Sequence, residues 1–404
     1  MTKRVLISGA GIAGPALAHW LHRYGFEVTV VERAPRLRPG GQAVDIRGVG
    51  KEVVRRMGLD ERVRAACTDT RGVSYVDSSN RERARMRAEM FGGDGIIAEI
   101  EILRGDLAAV LFEATRHGVE YRFGDTITGV EQTRDGVVAT LDSGTSEAFD
   151  LVIGADGLHS GLRSLVFGPE SRYLRDLGHL LAFFTVPNRL GLDHWMTGYA
   201  EPDRSAVVRS IRDNREAMAM LSVRGDRSDY DHRDTAGQKA LLRKHMRHMK
   251  WEVPWLLDQM DNAADFYFDS CSQVHLPTWS AGRVALLGDA AFCSSPLSGQ
   301  GTTLAIIGAY VLAGELAAAG GDHAIAFAEY EKRMRDYVTA NQKMGADNAK
   351  RFAARSRFGI WAQHQMIRML PHVPGKALIM RKMLQVINGI DLPDYGHLPA
   401  TARS

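Results

Sequence analysis

The chain has 404 residues, of which 45% are hydrophobic and 25% are charged, and its formal net charge is +3. This composition is typical of a globular chain with two or three domains, and the even spread of basic residues argues against a nucleic-acid partner. The cysteines Cys67, Cys271 and Cys293 are too few and too far apart for a disulfide framework, which indicates a reducing compartment and, by default, the cytoplasm.

The N-terminal residues superficially resemble a signal peptide. Glycines interrupt the apolar run that follows Met1-Thr-Lys-Arg, and the run continues into a nucleotide motif, so we expect no cleavage. No segment reaches the roughly 18 uninterrupted apolar residues that span a bilayer. The sequence therefore predicts a soluble protein with no membrane partner.

The first predicted elements are a strand, a glycine turn and a helix. The apolar segment Arg4–Ser8 precedes the run Gly9-Ala10-Gly11-Ile12-Ala13-Gly14, and Pro15–Tyr24 has helical spacing. In such a turn the first glycine permits the bend, the second lets backbone approach a pyrophosphate, and the third lets helix and strand pack closely. The helix N-terminus would offer N–H groups to the phosphates.

A second strand supports the nucleotide interpretation. Phe26–Val31 ends at Glu32, whose carboxylate is placed to hydrogen-bond a ribose hydroxyl, and Arg33 follows as a further candidate. An acidic residue here favours FAD or NAD over NADP. The motif alone does not choose between FAD and NAD.

A second motif follows the apolar strand end Asp150–Ile153. It reads Gly154-Ala-Asp156-Gly157-Leu-His-Ser160-Gly-Leu-Arg163, with Asp156 as a candidate cofactor-binding residue. A turn followed by a helix that Ser160 caps would explain the local shape equally well. It would not explain a second nucleotide-like strand end so late in the chain.

Between the second and third motifs the glycine fingerprints stop, and alternating segments predict a mostly antiparallel sheet. The predicted strands are Leu180–Val186, Ser205–Ile211, Ala217–Val223 and Phe266–Asp269, and the predicted helices are Ala236–Met249 and Trp255–Asp261.

The third motif runs from Arg283 to Gly301 and leads into an apolar helix from about Thr302 to Ala319. Asp289 follows a strand end, where it could accept hydrogen bonds from a ribityl chain. The loop Pro296–Gly301 brings bare backbone to the start of the helix, where N–H groups would stabilise negative charge on a reduced flavin. The candidate residues of this motif are Gly288, Asp289, Pro296, Gly299, Gly301 and Thr302.

From Asp322 onwards the chain is helix-like and rich in basic residues. Amphipathic basic helices can bind membranes, but a helix that packs across two domains explains the pattern better.

The three motifs in this order resemble the single-component flavoprotein aromatic hydroxylases, the para-hydroxybenzoate hydroxylase family in the broad sense. Within it the chain is most similar to tetracycline-modifying and polyketide-tailoring monooxygenases. The resemblance covers residues 1 to about 330. It implies an α/β fold with a Rossmann-like FAD-binding domain of the glutathione-reductase type, an antiparallel-sheet substrate domain and a C-terminal helical segment.

The resemblance also implies domain boundaries. The predicted FAD-binding domain comprises residues 1–75, 98–175 and 275–330, the substrate domain comprises residues 76–97 and 176–274, and the helical segment comprises residues 331–404.

The family further implies an arginine on the flavin side, matched by Arg104 in Ile102–Leu107, and an aspartate after paired glycines, matched by Asp45 with Arg47 nearby. A surface salt bridge is the alternative for Arg104, and a purely structural role is the alternative for Asp45 and Arg47. The candidate walls of the substrate pocket, for each of which core packing is the alternative, are Phe184, Trp195, Met220, Tyr267 and Phe292.

The chain departs from the family pattern at three positions. Phe292 stands where the family usually has histidine, Thr303 where it often has asparagine, and Gly308 where it often has aspartate. Any side-chain role at these positions is in doubt. Cys293, beside the flavin motif, is interpreted as a small buried hydrophobe.

By resemblance, the function is hydroxylation of an aromatic or enolic small molecule. NADPH or NADH reduces FAD, molecular oxygen adds at the flavin C4a position, and one oxygen atom reaches the substrate. The nicotinamide donor binds transiently, since the chain has no second glycine motif, and Arg36 or Arg38 could contact it. We predict no metal site and name no acid or base, and the oligomeric state stays open.

Two other functions remain open. One is a flavin-dependent reductase or dehydrogenase on the same scaffold, and the other is a non-catalytic flavin-binding protein. A flavin-dependent halogenase is disfavoured, because its Trp-x-Trp-x-Ile-Pro run is missing from the sequence.

Overall fold

The computed structural model describes residues 2–91, 98–370 and 376–398. Parts of three predicted domain segments, 1–75, 76–97 and 331–404, therefore lie outside the described residues. The domain boundaries stay a prediction.

A six-stranded sheet gathers strands from distant parts of the chain. In spatial order its strands are β17 (Ser280–Ala281), β18 (Val284–Leu286), β11 (Leu151–Gly154), β1 (Arg4–Ser8), β2 (Glu27–Glu32) and β7 (Glu120–Phe123). All neighbours are parallel except β17 and β18. Strands buried on both faces need continuous apolar runs, which is why β1 and β11 do not alternate. The parallel register brings Gly9, Gly154 and Gly288 to one edge of the sheet.

A seven-stranded sheet forms the second layer. In spatial order its strands are β16 (Tyr267–Val274), β12 (Leu174–Pro187), β15 (Glu216–Arg224), β14 (Arg204–Ile211), β13 (Trp195–Glu201), β4 (Gly72–Val76) and β5 (Glu82–Arg87). Its neighbours are antiparallel except β13 and β4. Three of the predicted strands lie within β12, β14 and β15.

The two faces of this sheet contact different parts of the protein. One face packs under α6 (Thr235–Met246) and α7 (Val253–Asn262) in a large apolar core. On the other face, Ile211 and Met218 pack with Leu103 in a small separate core. The second face therefore lies toward the part of the chain that carries Arg104.

Smaller elements connect the layers. The short antiparallel sheets contain β3 (Ala43–Ile46) with β6 (Ile100–Leu103), and β8 (Ile127–Gln132) with β9 (Val137–Leu141) and β10 (Ser146–Phe149). The remaining α-helices up to the third motif are α1 (Ala13–Arg23), α2 (Val49–Arg56), α3 (Asp60–Arg64), α4 (Arg104–Glu113), α5 (Gly161–Phe167) and α8 (Asp289–Phe292). Short 3-10 helices span Ala88–Phe91, Glu170–Arg172, Arg227–Asp229 and Pro296–Ser298.

Four helices complete the described chain: α9 (Gly301–Ala318), α10 (His323–Phe352), α11 (Arg357–Met369) and α12 (Lys376–Ile387). Within the described ranges, α9 alone is long and apolar enough to cross a membrane, but it is mostly buried in the core. An apolar surface on every side is typical of such a core helix. The long helix α10 contacts both α9 and β12. The architecture confirms the predicted fold class.

Candidate active site

The first glycine turn is packed too tightly for side chains. Gly9 has φ +106°, and a Cβ there would lie 2.5 Å from the carbonyl oxygen of Ala155, while a Cβ at Gly14 would lie 1.9 Å from the carbonyl oxygen of Gly9. Helix α1 follows directly, and no side chain among the described residues caps its N-terminus. Its first-turn N–H groups are therefore not hydrogen-bonded to such a cap, as an anion-binding site requires.

The carboxylate of Glu32 joins the first turn to the end of β2. Its two oxygens accept hydrogen bonds from the backbone N–H groups of Ala10 and Ala34, each at 2.9 Å. Each oxygen keeps a lone pair for a further donor. Arg33 is exposed, and Arg38 places its guanidinium 3.9 Å from the Glu32 carboxylate.

Arg104 lies between two glycine loops. Its backbone N–H donates to the carbonyl of Gln42 at 3.0 Å, and its Nη2 atom lies 3.2 Å from the position of a Cβ on Gly11. A Cβ on Gly41 would lie 3.6 Å from the Arg104 Cβ. The guanidinium thus reaches the first motif from the fourth helix, and its cofactor role stays a prediction.

The second motif is both a capped helix and a bridge. Ser160 caps α5 by accepting from the N–H of Arg163 at 2.9 Å, and Asp156 accepts from the Ser160 hydroxyl and, at 3.1 Å, from the N–H of Leu162. The buried Arg163 guanidinium donates to the carbonyl of Ala290 at 2.9 Å. The capped-helix alternative therefore describes the local geometry, while Arg163 ties this motif to the third one.

The third motif meets the first across the sheet edge. Gly288 has φ +64°, and a Cβ there would lie 3.1 Å from the Ala13 Cβ, so the α1 start and the α8 start touch. Asp289 follows with its Oδ1 atom 3.8 Å from the position of a Cβ on Gly301. Its side chain is solvent-accessible yet surrounded by protein, as in a deep cleft, and burial raises the pKa of its carboxyl against the opposing effects of Cys293 and Arg104.

The rest of the third motif forms the approach to α9. Pro296 begins a 3-10 helix, Gly299 ends it in the left-handed conformation at φ +64°, and Thr302 lies in the first turn of α9. No side chain caps α9 within the described part of the chain. A second helix N-terminus is therefore available to a negatively charged group.

Asp45 lies beside this approach. Its Oδ2 atom lies 3.7 Å from the position of a Cβ on Gly299 and accepts from the Arg47 guanidinium at 2.8 and 3.1 Å. Burial raises the pKa of Asp45 to about 6, although the charge of Arg47 opposes this. The Arg47 backbone N–H donates to the hydroxyl of Thr303 at 3.0 Å, which fixes this strand to α9.

A buried ion pair under the second sheet was missed at the sequence level. Arg209 donates to Glu101 at 2.7 Å, and the hydroxyls of Thr68 and Thr70 donate to the same carboxylate. Burial works to raise the pKa of Glu101, but Arg209 and the hydroxyls lower it overall. The available signal was a charged residue inside the predicted strand Ser205–Ile211.

The predicted pocket residues separate onto different surfaces. Met220 pairs with Phe183 across β12 and β15, and Tyr267 pairs with Phe183 across β12 and β16, so these three share the face that carries Met218. Phe184 points the other way and is buried in the core under α6 and α7.

The other two predicted pocket residues are also packed away from that face. The Trp195 indole donates to the Ser74 hydroxyl at 2.9 Å, and the ring lies under the guanidinium of Arg85. Phe292 is buried in the main core with its ring centroid 4.7 Å from that of Trp279. Phe184 and Phe292 are packed in the apolar cores, and Trp195 is half-buried outside them. Met220 and Tyr267 lie together, and a role of any of the five in substrate binding stays a prediction.

The sequence did not predict a polar cluster next to Tyr267. Its residue His159 lies in the second motif, and its residue Asp269 ends the predicted strand Phe266–Asp269. His159, of the second motif, lies 3.0 Å from Glu170 through Nδ1 and 3.0 Å from Asp269 through Nε2. Burial opposes its charge, but the hydrogen bonds to Asp269 and Glu170 prevail and raise the pKa of His159 to about 9. The His232 ring stacks on it at 4.2 Å. A protonated histidine therefore joins the second motif to β16.

Two further features bear on redox and metal chemistry. Cys293 is buried, and burial raises its thiol pKa well above the ordinary value, so this sulfur is not poised as a thiolate. Across residues 2–91, 98–370 and 376–398, no group of three or more His, Cys, Asp or Glu side chains is arranged to hold a metal ion.

Comparison with known proteins gives consistent matches over most of the chain. Residues 2–342 match the FAD binding domain family. The chain is 47% identical to an uncharacterized protein of Mycobacterium tuberculosis, over 86% of this chain and 93% of that protein. It is 38% identical to a flavin-dependent monooxygenase of Legionella longbeachae, over 97% of this chain and 98% of that protein. The crystal structure of tetracycline destructase Tet(51) superposes with a TM-score of 0.85 and 34% identity, covering 98% of this chain and 99% of that one.

Proposed function

The chain belongs to the FAD binding domain family and is an FAD-dependent monooxygenase, and from this premise we propose that it hydroxylates an aromatic or enolic small molecule with NADPH or NADH as reductant and molecular oxygen as oxidant. We place the reaction in the cytoplasm, in keeping with three free cysteines.

The residues at the sheet edge fit FAD. Two helices start there without capping side chains, and the glycines at 9, 14 and 288 allow the backbone of three motifs to converge. In the proposal, α1 holds the pyrophosphate, Glu32 the adenosine ribose and Asp289 the ribityl chain. The accessible Asp289 carboxylate, surrounded by protein but facing a cleft, is the kind of group that such a chain of hydroxyls would satisfy.

Bound FAD supplies the one-electron reactivity with dioxygen that closed-shell organic molecules lack. The protein then has to position the substrate, exclude water and stabilise charge. The N-terminus of α9, at Gly301 and Thr302, presents backbone N–H groups and a positive helix end to developing negative charge. Asp45 lies against Gly299, just before this helix, and the Arg104 guanidinium lies against Gly11 of the first motif.

One observation carries the proposal: a largely apolar sheet face lies against the flavin-binding loops. Phe183, Met220 and Tyr267 share this face, and Phe183 packs on the small core that contains Leu103, the residue before Arg104. An apolar wall next to a tyrosine hydroxyl suits a planar organic substrate with few polar groups.

Arg36 and Arg38 are exposed, Arg38 lies near Glu32, and both are our candidates for transient contact with the nicotinamide donor. No second glycine motif in the sequence would hold that donor firmly.

The test uses FAD-loaded protein with a panel of phenols and enols, beginning with tetracycline because of the similarity to tetracycline destructase Tet(51). NADPH and NADH oxidation, oxygen consumption and product mass are measured together. We expect one compound to accelerate NAD(P)H oxidation and to gain one oxygen atom. Accelerated oxidation with a reduced or dehydrogenated product, or no acceleration by any compound of the panel, would contradict the proposed hydroxylation of aromatic or enolic compounds.

A further inference from the structure

Tyr267 is a polar residue on the sheet face that carries Phe183 and Met220. Its side chain is 38% exposed, yet the charges of Arg104 and Asp289 are close enough to act on its phenol. Burial by the surrounding protein raises the pKa of this phenol well above its ordinary value, so the hydroxyl keeps its proton at neutral pH. Tyr267 therefore presents an intact hydroxyl to the cleft beside the flavin-binding residues.

The hydroxyl of Tyr267 is held by a carboxylate that already has other donors. It lies 3.1 Å from Asp269 Oδ2, which also faces His159 Nε2 at 3.0 Å. The other oxygen, Oδ1, accepts from the Tyr230 hydroxyl at 2.6 Å and from the backbone N–H of Ser270 at 2.8 Å. Every described partner of this carboxylate is a donor.

Asp269 is ionised in this setting. Burial works against its charge, but the hydrogen bonds and the positive charge of His159 prevail and lower its pKa overall. His159 is itself fixed by Glu170, and Glu170 is paired with Arg163 and Arg227. A chain of alternating charges thus holds the carboxylate in its acceptor-only form.

This arrangement decides which way the Tyr267 hydroxyl points. An ionised carboxylate cannot donate, so Tyr267 must give its only proton to Asp269, and its oxygen has only lone pairs left for the cleft. We infer that Asp269 and His159 act as positioning residues that make the Tyr267 oxygen a fixed hydrogen-bond acceptor, so that the site selects a substrate with an O–H or N–H donor at this point. The inference rests on the proposed function, since it names the polarity of that same substrate site.

The test compares two probes that differ only in this donor, 2-naphthol and 2-methoxynaphthalene. FAD-loaded protein is titrated with each probe, and binding is followed through the perturbation of the flavin absorption spectrum. We expect the wild-type protein to bind the naphthol about tenfold more tightly, the factor that one hydrogen bond of ordinary strength provides. The ratio of the two affinities within one protein does not depend on the fraction of folded protein.

Two variants at the same carboxylate separate the inference from a general disturbance. Tyr267→Phe removes the acceptor from the cleft, and we expect the preference to fall to about twofold or less. Tyr230→Phe removes another donor to Asp269, but Tyr230 packs edge-on against Phe268 in the opposite core, so we expect the preference to remain. In Asp269→Asn the amide can donate to Tyr267, which frees the hydroxyl proton for the cleft, and the preference should shift toward the ether.

The outcomes are decisive in both directions. Equal binding of the two probes to the wild-type protein, binding of neither, or an unchanged preference in Tyr267→Phe would overturn the inference. Binding needs neither NAD(P)H nor oxygen, so a retained preference without any oxygenated product would contradict the proposed hydroxylation alone. Hydroxylation of a substrate without any donor preference would contradict the inference alone.

Discussion

Phe292 and Gly308 show how two departures from the expected family pattern form one packing arrangement. A Cβ on Gly308 would lie 3.2 Å from Cζ of Phe292 and 2.9 Å from Cδ1 of Leu287. The space that a side chain on α9 would fill is occupied by the Phe292 ring, which continues onto Trp279. An aromatic residue at 292 thus depends on the missing side chain at 308, and the Phe292 ring is buried in the main core.

Gly308→Ala should therefore destabilise the protein, although alanine normally favours a helix. Overpacking costs about 1–3 kcal/mol, and the gain in helix propensity returns only about 0.5–1 kcal/mol. Urea unfolding of the FAD-loaded protein measures the balance. The double variant Gly308→Ala with Phe292→Leu should recover part of the lost stability, because the smaller leucine relieves the contact with position 308. The recovery should be incomplete, because Leu287 remains close. Strictly additive effects of the two substitutions would contradict this arrangement.

Thr303 explains the third departure from the pattern. Its hydroxyl accepts from the backbone N–H of Arg47 at 3.0 Å, so it fixes the segment that carries Asp45 to the first turn of α9. The partner is 256 positions away in the sequence. The substitution could be seen in the sequence, but its hydrogen bond could not.

At the scale of elements, the strands and glycine turns were predictable because their causes are local. An apolar run buried on both faces, a turn that excludes Cβ atoms and a helix start without a cap all leave marks within a few residues. The contacts of Arg163 with Ala290 and of His159 with Asp269 join segments more than 100 residues apart. Sequence spacing carries no information about such pairs. The second motif therefore contained Arg163 and His159, but their hydrogen-bond partners could not be predicted from it.

The face of each sheet strand set a similar limit. Alternation predicted β12 and β15 as strands, but it did not show which set of side chains meets the cleft. Phe184 and Met220 were both named as pocket candidates, although they lie on opposite faces of neighbouring strands. Only the packing of α6 and α7 on the Phe184 face shows that the opposite face, with Met220, meets the cleft.

The His159 cluster connects β16 to the second motif and should make stability depend on pH. The pKa of His159 is about 9 in the folded protein and about 6.5 ordinarily, so the protonated form stabilises the fold fully below about pH 6.5. This contribution is lost as the pH rises through 9. Asp269 and Glu170, whose pKa values are lowered, act in the opposite window, and their contribution is lost only as the pH falls into the acid range. The stacked His232, whose pKa is lowered by burial and by the His159 charge, does not share the proton.

We therefore expect His159→Gln to flatten the stability curve between about pH 6.5 and pH 9. The His159 side chain is 21% exposed, so a contribution of up to about 3 kcal/mol is the expected scale. Urea unfolding free energies of the FAD-loaded protein at about pH 6 and pH 9.5 give the measurement. The exposed His117, substituted in the same way, serves as control. If wild type and His159→Gln lose stability equally over this range, His159 is not charged in the fold.

At the scale of the whole molecule, the last described segment closes back onto the FAD-binding layer. The carbonyl of Pro393 accepts from Arg56 of α2 at 3.0 Å and from the Tyr310 hydroxyl of α9 at 2.7 Å. The Tyr395 hydroxyl donates to Glu315, and its ring occupies the space beside Gly314, where a Cβ would lie 2.1 Å away. The segment beyond α12 is thus fixed to α9, the helix whose N-terminus we assign to the flavin.

Tyr395→Ala should therefore lower the stability of the fold. Although Tyr395 is not one of the proposed site residues, the substitution should also weaken FAD binding. Removing a buried aromatic side chain costs about 3–5 kcal/mol, and the cavity would open along α9, whose first turn we assign to the flavin. Tyr395→Phe keeps the ring and loses only the hydrogen bond to Glu315, which should cost about 1 kcal/mol because Glu315 keeps its ion pair with Arg333. Thermal unfolding and the FAD retained after gel filtration measure the two effects. A loss of stability in Tyr395→Ala with unchanged FAD retention would contradict the second expectation. The segment after α12 would then stabilise the core without affecting the N-terminal end of α9.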